Sequence, residues 1–252
     1  MRFYLYIFLL LSFWVVSGQA ATRSDVNVIV AAEHIRYLSQ KIAKDYLYLY
    51  SQPRHVEIRQ EIRTMIDALN ENFNTIATST RSDSTRDLLK YLEYNRDSIQ
   101  ELLTKKVTKD QSLLMLDYSE VLLEGTNSIA REHRYPFNQE ETMLMNIKKY
   151  EYLVERLGKF YMASSMGALS QTNQRKMLES QQALEKGLQT IQAYQYPDRY
   201  QKHKKELAHF WESSKQILAH AYDMFLPNLV ETSSTYFEHI LKTFALYHSK
   251  SQ

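Results

Sequence analysis

The sequence predicts an all-α fold made of two similar halves. The 252 residues include only 5 Gly and 4 Pro, so few residues interrupt helices over a long stretch. Apolar residues also recur every three or four positions, which places them on one stripe of a helix. Finally, the pattern repeats when the sequence is shifted by 115 residues, the interval between Leu38 and Leu153.

The repeat holds across three successive predicted helices. The segment from Leu38 to Tyr46 falls on the segment from Leu153 to Tyr161. Later positions coincide in the same register, namely Ile62 with Met177, Leu69 with Leu184, Phe73 with Leu188, Ile76 with Ile191, Leu92 with Leu207 and Leu102 with Ile217. Chance rarely matches three helices at a single offset, so we predict a tandem duplication of a unit of roughly 110 residues.

Residues 1–20 have the features of a secretory signal peptide. Arg2 supplies a positive charge, residues 3–16 are mostly apolar, and Gly18-Gln19-Ala20 offers small residues for cleavage after Ala20. An uncleaved membrane anchor is the alternative, but the apolar run is shorter than the ~20 residues of a spanning helix. We therefore expect export to the periplasm. The sequence contains no Cys, so the mature chain is held together without disulfides.

Composition and motifs argue against several classes of function. The formal net charge is +2, so no strong field favours nucleic acid or acidic lipid. Metalloprotease, phosphate-loop and serine-hydrolase motifs are missing from the sequence. Glu206 and His209 have the spacing of a di-iron helix motif, but Tyr91 and Tyr94 occupy the equivalent positions of the first half. We expect no enzyme, no metal site and no cofactor.

The first unit, 22–134, is predicted to hold four helices. The apolar stripe of the first helix contains Val28, Ala31, Ile35, Leu38, Ile42, Tyr46 and Leu49. Pro53 suits the first position of the second helix, which extends to about residue 78. The third helix covers about 85–107. Thr108 and Gln111 have the spacing of a capping box that starts the fourth helix, which ends near residue 131.

The second unit, 138–249, repeats this plan. Its predicted helices cover about 139–169, 172–194, 197–225 and 227–248. All four prolines, Pro53, Pro136, Pro197 and Pro227, fall at or just before predicted helix starts. Four such helices with short connections form an up-down-up-down bundle, and we expect two bundles in tandem. The alternative is one elongated bundle in which the fourth and fifth helices fuse into a single rod.

Part of the first helix resembles a motif of bacterial sensor proteins. Residues 32–44 are similar to the first-helix motif A-G-R-Q-R-M-L-S-Q-R-x-A-K of PilJ-type domains, although Glu33 and His34 replace its Gly and first Arg. These domains form the N-terminal sensory part of type IV pilus methyl-accepting chemotaxis transducers and are related to the periplasmic sensor of NarX-like nitrate/nitrite kinases. The matching residues are Ala32, Arg36, Leu38, Ser39, Gln40, Ala43 and Lys44. The second unit is a diverged copy that keeps chiefly Leu153, Arg156, Lys159 and Tyr161.

The resemblance implies a four-helix bundle and a candidate anion site. In NarX-like sensors the Arg that matches Arg36 helps to bind nitrate between the first helices of two subunits. The resemblance therefore implies that Arg36, with His34, Ser39 and Gln40 nearby, binds a small oxyanion such as nitrate or nitrite across a dimer or pseudo-dimer axis. The position equivalent to Arg36 in the second unit is Glu151, which would repel an anion, so a homodimer through the first unit would suit such a site better.

Two readings of Arg36 and two functions stay open at this point. A guanidinium fits a planar oxyanion well, but an Arg on an amphipathic helix often pairs with a neighbour such as Glu33. The first function is a soluble periplasmic sensory protein that acts through a membrane-bound partner, because the chain ends soon after its last predicted helix. The second is a structural or adaptor protein of the cell envelope. We expect Trp211 to anchor the core; a ligand contact is its alternative role.

Overall fold

A computed structural model describes residues 23–168, 170–220 and 224–250, and these residues form eight α-helices without a β-strand. The helices are α1 (Arg23–Ser51), α2 (Val56–Ser79), α3 (Asp83–Leu103), α4 (Lys109–Glu132), α5 (Gln139–Ser165), α6 (Gln171–Ala193), α7 (Gln201–Ala219) and α8 (Pro227–Lys250). The all-α prediction is confirmed. The predicted signal peptide lies outside the described residues. None of the helices in the described ranges combines the length and the apolar character that crossing a bilayer requires.

Side-chain caps fix most of the helix starts. Thr108 accepts a hydrogen bond from the backbone N–H of Gln111 at 3.3 Å, as predicted, but the Gln111 side chain accepts one from Tyr46 instead of closing the capping box. A complete capping box joins Asn138 and Glu141 at the start of α5. These caps satisfy backbone donors that the first helical turn leaves without partners.

Several predicted boundaries need correction. α2 begins at Val56, and Pro53 lies in the turn before it. α3 ends at Leu103 and α5 at Ser165, each about four residues early. In α5 the cause is Gly167, whose φ of 60° ends the helix. A short 3-10 turn at Asp198–Tyr200 delays the start of α7 to residue 201, and α7 ends at residue 219 instead of 225.

Each half of the chain has the same scheme of helix neighbours. α1 packs against α2 and α4, and α3 packs against α4 and α2. In the second half, α5 packs against α6 and α8, and α7 packs against α8 and α6. α1 and α5 also pack against each other and so join the halves. α4 ends at Glu132 and α5 begins at Gln139, so the fused rod of the alternative prediction does not form.

A histidine clasp recurs at equivalent positions of the two halves. His133, the C-cap of α4, places Nδ1 2.8 Å from Oδ1 of Asp25 in the first turns of α1. His248 near the end of α8 places Nδ1 2.5 Å from Oε2 of Glu140 at the start of α5. The second pair lies one repeat interval after the first, since Glu140 corresponds to Asp25 and His248 corresponds to His133. Each clasp fastens the last helix of one half to the first helix of that half.

The central helices α1 and α5 are buried on more than one face. Between Val28 and Leu49 most side chains of α1 are buried, including polar ones, because α2, α4 and α5 surround the helix. The largest fully buried side chains include Tyr46, Phe73, Tyr161 and Phe244. Lys44 and Lys159 also have no solvent exposure. The core therefore includes charged groups at the interface of α1 and α5, which we call the seam between the halves.

We expect Gly187→Ala to destabilise the protein, although Ala normally stabilises a helix by about 1 kcal/mol relative to Gly. Gly187 of α6 lies against the ring of Tyr150 in α5, and a Cβ atom would overlap that ring. Overpacking of this kind costs roughly 1–3 kcal/mol, to be measured as the free energy of unfolding in urea. With Tyr150→Leu in the same chain the ring is gone, and the added Cβ should be tolerated. A more stable Gly187→Ala single variant would contradict the close packing.

Candidate functional site

The four predicted site residues do not lie together. Arg36, Ser39 and Gln40 are buried, whereas His34 is exposed on the side of α1 that faces α2. There the Nδ1 atom of His34 lies 3.0 Å from the side-chain amide of Asn72. His34 is thus separated from Arg36, which faces α5. Of the remaining three residues, Arg36 lines a surface groove, whereas Ser39 and Gln40 lie in the buried interior.

Arg36 is held between α1 and α5. Its Nη2 donates to the hydroxyl of Tyr152 at 2.7 Å, and the guanidinium lies 4.4 Å from the centroid of that ring. Its Nη1 lies 2.5 Å from Oε1 of Glu33, one turn earlier on α1. Arg36 is 8% exposed, and its Nε has no hydrogen-bond partner among the described residues. One donor of the fork is therefore left unused in a nearly buried position.

The groove beside Arg36 is rich in positive charge. Its charged lining residues are Glu33 and Arg36 of α1, Arg131 of α4, Arg134 of the connector and Lys149 of α5, and we call it the Arg36 groove. It encloses about 370 Å³. Among these lining residues four side chains are cationic and one is a carboxylate. A concave surface with this balance concentrates small anions.

Ser39 and Gln40 do not line the Arg36 groove. Ser39 donates to the backbone carbonyl of Arg36 at 2.9 Å, a bond within its own helix. Gln40 donates to the carbonyl of Ser119 in α4 at 2.9 Å and accepts from Nζ of Lys159 at 2.6 Å. Both side chains belong to the interior of the seam. Their geometry suits the support of Lys159 better than contact with a ligand from solvent.

The first buried cluster surrounds Lys159. We define the Lys159 cluster as Gln40, Ser119, Glu120, Arg156, Lys159 and Lys176. Lys159 donates to Ser119 at 3.0 Å and to Glu120 at 2.7 Å. Arg156 binds both oxygens of Glu120, and Lys176 lies 2.9 Å from the same carboxylate.

Burial and the excess of cations together set the pKa values in the Lys159 cluster. Burial alone would raise the pKa of Glu120, but Lys159 and Arg156 hold it well below its usual value. Burial lowers the pKa of Lys159 to about 8, although Glu120 opposes the shift. The single carboxylate is shared by three cations, and the buried ammonium is the one that gives up its proton most easily.

The second buried cluster surrounds Lys44. We define the Lys44 cluster as Lys41, Lys44, Asp45, Glu155, Glu231 and Ser234. Lys44 donates to Ser234 at 2.9 Å, and its Nζ lies 2.9 Å from Glu155 and 2.8 Å from Glu231. Three carboxylates share two ammonium groups here. Burial raises the pKa of Asp45 to about 7, against the attraction of Lys44 and Lys41.

The two clusters are related by the internal repeat. Lys44 matches Lys159, Gln40 matches Glu155, and Ser119 matches Ser234. Each lysine reaches from its own half to oxygen atoms of the other half. The residues that meet across the seam have similar positions in their repeats, so α1 and α5 run in the same direction. The charge balance is opposite, with surplus carboxylate around Lys44 and surplus cation around Lys159.

An ion pair near the groove is reversed between the halves in the same way. Glu33 and Arg36 on α1 correspond to Lys148 and Glu151 on α5, where Nζ lies 2.8 Å from the carboxylate. Burial raises the pKa of both carboxyl groups, Glu33 and Glu151, against the attraction of their basic neighbours. The repeat interval alone could have revealed these exchanges, because it aligns the charged positions directly.

We expect the stability of the protein to fall as pH rises between the unfolded-state value of 3.8 for Asp45 and about 7. The folded state binds this proton more tightly than the unfolded chain does, so the contribution of Asp45 is complete below the lower value and is lost above the higher one. In Asp45→Asn this part of the pH dependence disappears. The measurement is urea unfolding at about pH 5 and about pH 7.5.

Asp87→Asn is the matched control, because Asp87 lies on the surface with a side chain 77% exposed. This variant should keep the pH dependence of the wild type. An Asp45→Asn protein with the same difference in stability between the two pH values as the wild type would show that Asp45 is not the titrating group.

In the part of the chain that the structure describes, no three His, Cys, Asp or Glu side chains are arranged to hold a metal ion. Comparison with known protein families, with curated proteins and with solved structures gives no match to this chain.

Proposed function

We propose that the chain is a non-enzymatic, periplasmic ligand-binding protein of the PilJ and NarX type, built from two tandem up-down four-helix bundles. It binds a small oxyanion such as nitrate or nitrite in the Arg36 groove. It then acts through a membrane-bound sensor partner. Support for this reading comes from the first-helix motif, the repeated packing scheme and the charge of the groove.

The packing of α1 against α5 supports the two-bundle arrangement. Each half has the same ring of helix neighbours, and the first helices of the two halves meet side by side. In the family that the motif resembles, the first helices of two subunits meet in this way. The second bundle thus takes the place of a second subunit. A homodimer would have to use surfaces other than the face of α1 that α5 covers.

The observation that carries the proposal is the unused donor of Arg36 at the wall of a cationic groove. The Nε atom is buried and has no partner within the described residues. Arg131, Arg134 and Lys149 line the same groove, and a planar oxyanion accepts hydrogen bonds readily from a guanidinium edge. The anion would compete with Glu33 for Arg36. Because Arg36 also binds Tyr152 of α5, this competition changes the relative energy of two packings of α1 on α5.

A second candidate is a structural or adaptor protein of the cell envelope. Glu33 and Tyr152 already engage both terminal nitrogens of Arg36, and Glu151 stands at the equivalent position of the second half. The Arg would then serve only to join α1 to α5. The folds of sensors and spacers need not differ, so the ligand decides between the two.

Calorimetric titration at constant ionic strength, with nitrate and nitrite against chloride, tests the proposal. We expect the wild type to bind at least one of the two oxyanions, and Arg36→Gln to lose at least tenfold in affinity, about 1.4 kcal/mol. Lys149→Gln removes an exposed charge from the same groove and should weaken binding without unfolding the protein.

Arg175→Gln is the control, because Arg175 is 70% exposed and pairs with Glu179 on α6, outside the groove. Its affinity should equal that of the wild type. Absence of heat from the wild type at millimolar anion, or equal affinities in all variants, would refute the oxyanion site and favour the adaptor function.

A further inference from the structure

The second half contains an apolar cavity that the Arg36 groove does not touch. It lies among α5, α6, α7 and α8, and its apolar walls include Val154, Leu157, Leu184, Trp211, Val230 and Phe237. The cavity measures about 50 Å³, and the unfilled space around it, including the part open to solvent, is about 450 Å³. None of the lining residues that the structure describes is charged. A charged molecule would therefore lose its hydration there without compensation.

At three of the lining positions the first half carries larger side chains. Ser214 corresponds to Ile99, Val230 corresponds to Met115, and Ser233 corresponds to Tyr118. Ile99 and Met115 are completely buried in the core of the first half. The four-helix plan of the repeat can thus be packed without this cavity. Smaller residues at these three positions leave room in the second half that Ile99, Met115 and Tyr118 would occupy.

Trp211 and three serines, Ser214, Ser233 and Ser234, supply the polar side chains among the lining residues. The side chain of Trp211 is 4% exposed, and its Nε1 has no hydrogen-bond partner within the described residues. A buried indole N–H normally has an acceptor, because leaving the donor unpaired costs about 1–3 kcal/mol. The hydroxyl of Ser214 already donates to the carbonyl of Phe210 at 2.8 Å, and Ser234 serves Lys44. Among the lining groups that are almost completely buried, the indole N–H is the donor without an acceptor in the described residues.

We propose that this cavity is a second ligand site, for a small uncharged apolar molecule that carries one carbonyl-type acceptor. The ring or alkyl part of the ligand contacts the aliphatic and aromatic walls, and its oxygen accepts a hydrogen bond from Nε1 of Trp211. Sites of this kind occur between the helices of bundles and combine apolar walls with few polar groups. The site does not depend on the charge of the Arg36 groove, so either site stands without the other.

NMR of the indole N–H tests the site directly. The sequence contains two tryptophans, Trp14 and Trp211, so Trp14→Phe in the full chain leaves one indole resonance. The probes are cyclohexanone and methylenecyclohexane, which have nearly the same shape but differ in the acceptor. We expect cyclohexanone to move the indole proton downfield and to bind about fivefold more tightly than methylenecyclohexane, the worth of one neutral hydrogen bond.

Two further variants separate the cavity from general apolar binding. Ser214→Ile with Val230→Met fills the space with the residues of the first half and should abolish binding of both probes. Ser213→Ile makes the same change at an exposed neighbour and should leave binding intact. In Trp211→Phe, cyclohexanone should lose its advantage and raise the melting temperature no more than methylenecyclohexane does, because its carbonyl is then desolvated without a donor. An indole resonance that does not respond to cyclohexanone, or a filled variant that binds as well as the wild type, would overturn the proposal.

Discussion

The neutralisation of two completely buried lysines constrains how the halves of this protein can meet. Lys44 and Lys159 lie at the α1–α5 seam, where an unpaired ammonium would cost several kcal/mol. Each receives its oxygen ligands mainly from the opposite half. A slip of one helical turn along the seam would separate both lysines from those ligands. The polar contacts therefore select one register of packing, which apolar side chains alone specify less strictly.

The two halves are complementary in charge at several equivalent positions. Arg36 faces the seam in the first half, and the equivalent position of the second half carries Glu151. Glu61 and Lys176 are also equivalent positions with opposite charge. Glu61 lies near Lys41 of the Lys44 cluster, and Lys176 belongs to the Lys159 cluster. Two identical copies would place like charges at corresponding positions. The observed exchanges favour the pairing of unlike halves over the pairing of like ones.

Much of the fold follows from local pattern, but the site does not. Helical periodicity predicts all eight helices, and the interval between Leu38 and Leu153 predicts the division into halves. Periodicity predicts helix ends less accurately, because they depend on local turns, such as the one at Gly167, that it does not encode. The contact of Arg36 with Tyr152 requires tertiary packing between residues far apart in sequence. Trp211 is buried as predicted for a core anchor, yet periodicity gives no information about the unpartnered state of its N–H.

The reciprocal lysine contacts also affect how such a gene can evolve. Either half expressed alone would leave one face of its first helix uncovered and its seam lysine without the acceptors that the other half supplies, so neither half should be as stable as the whole chain. The two halves are therefore mutually dependent parts of one polypeptide. A gene that lost either half would also have to change the lysine and the apolar residues left on the uncovered helix face, so several mutations separate this protein from a stable single half.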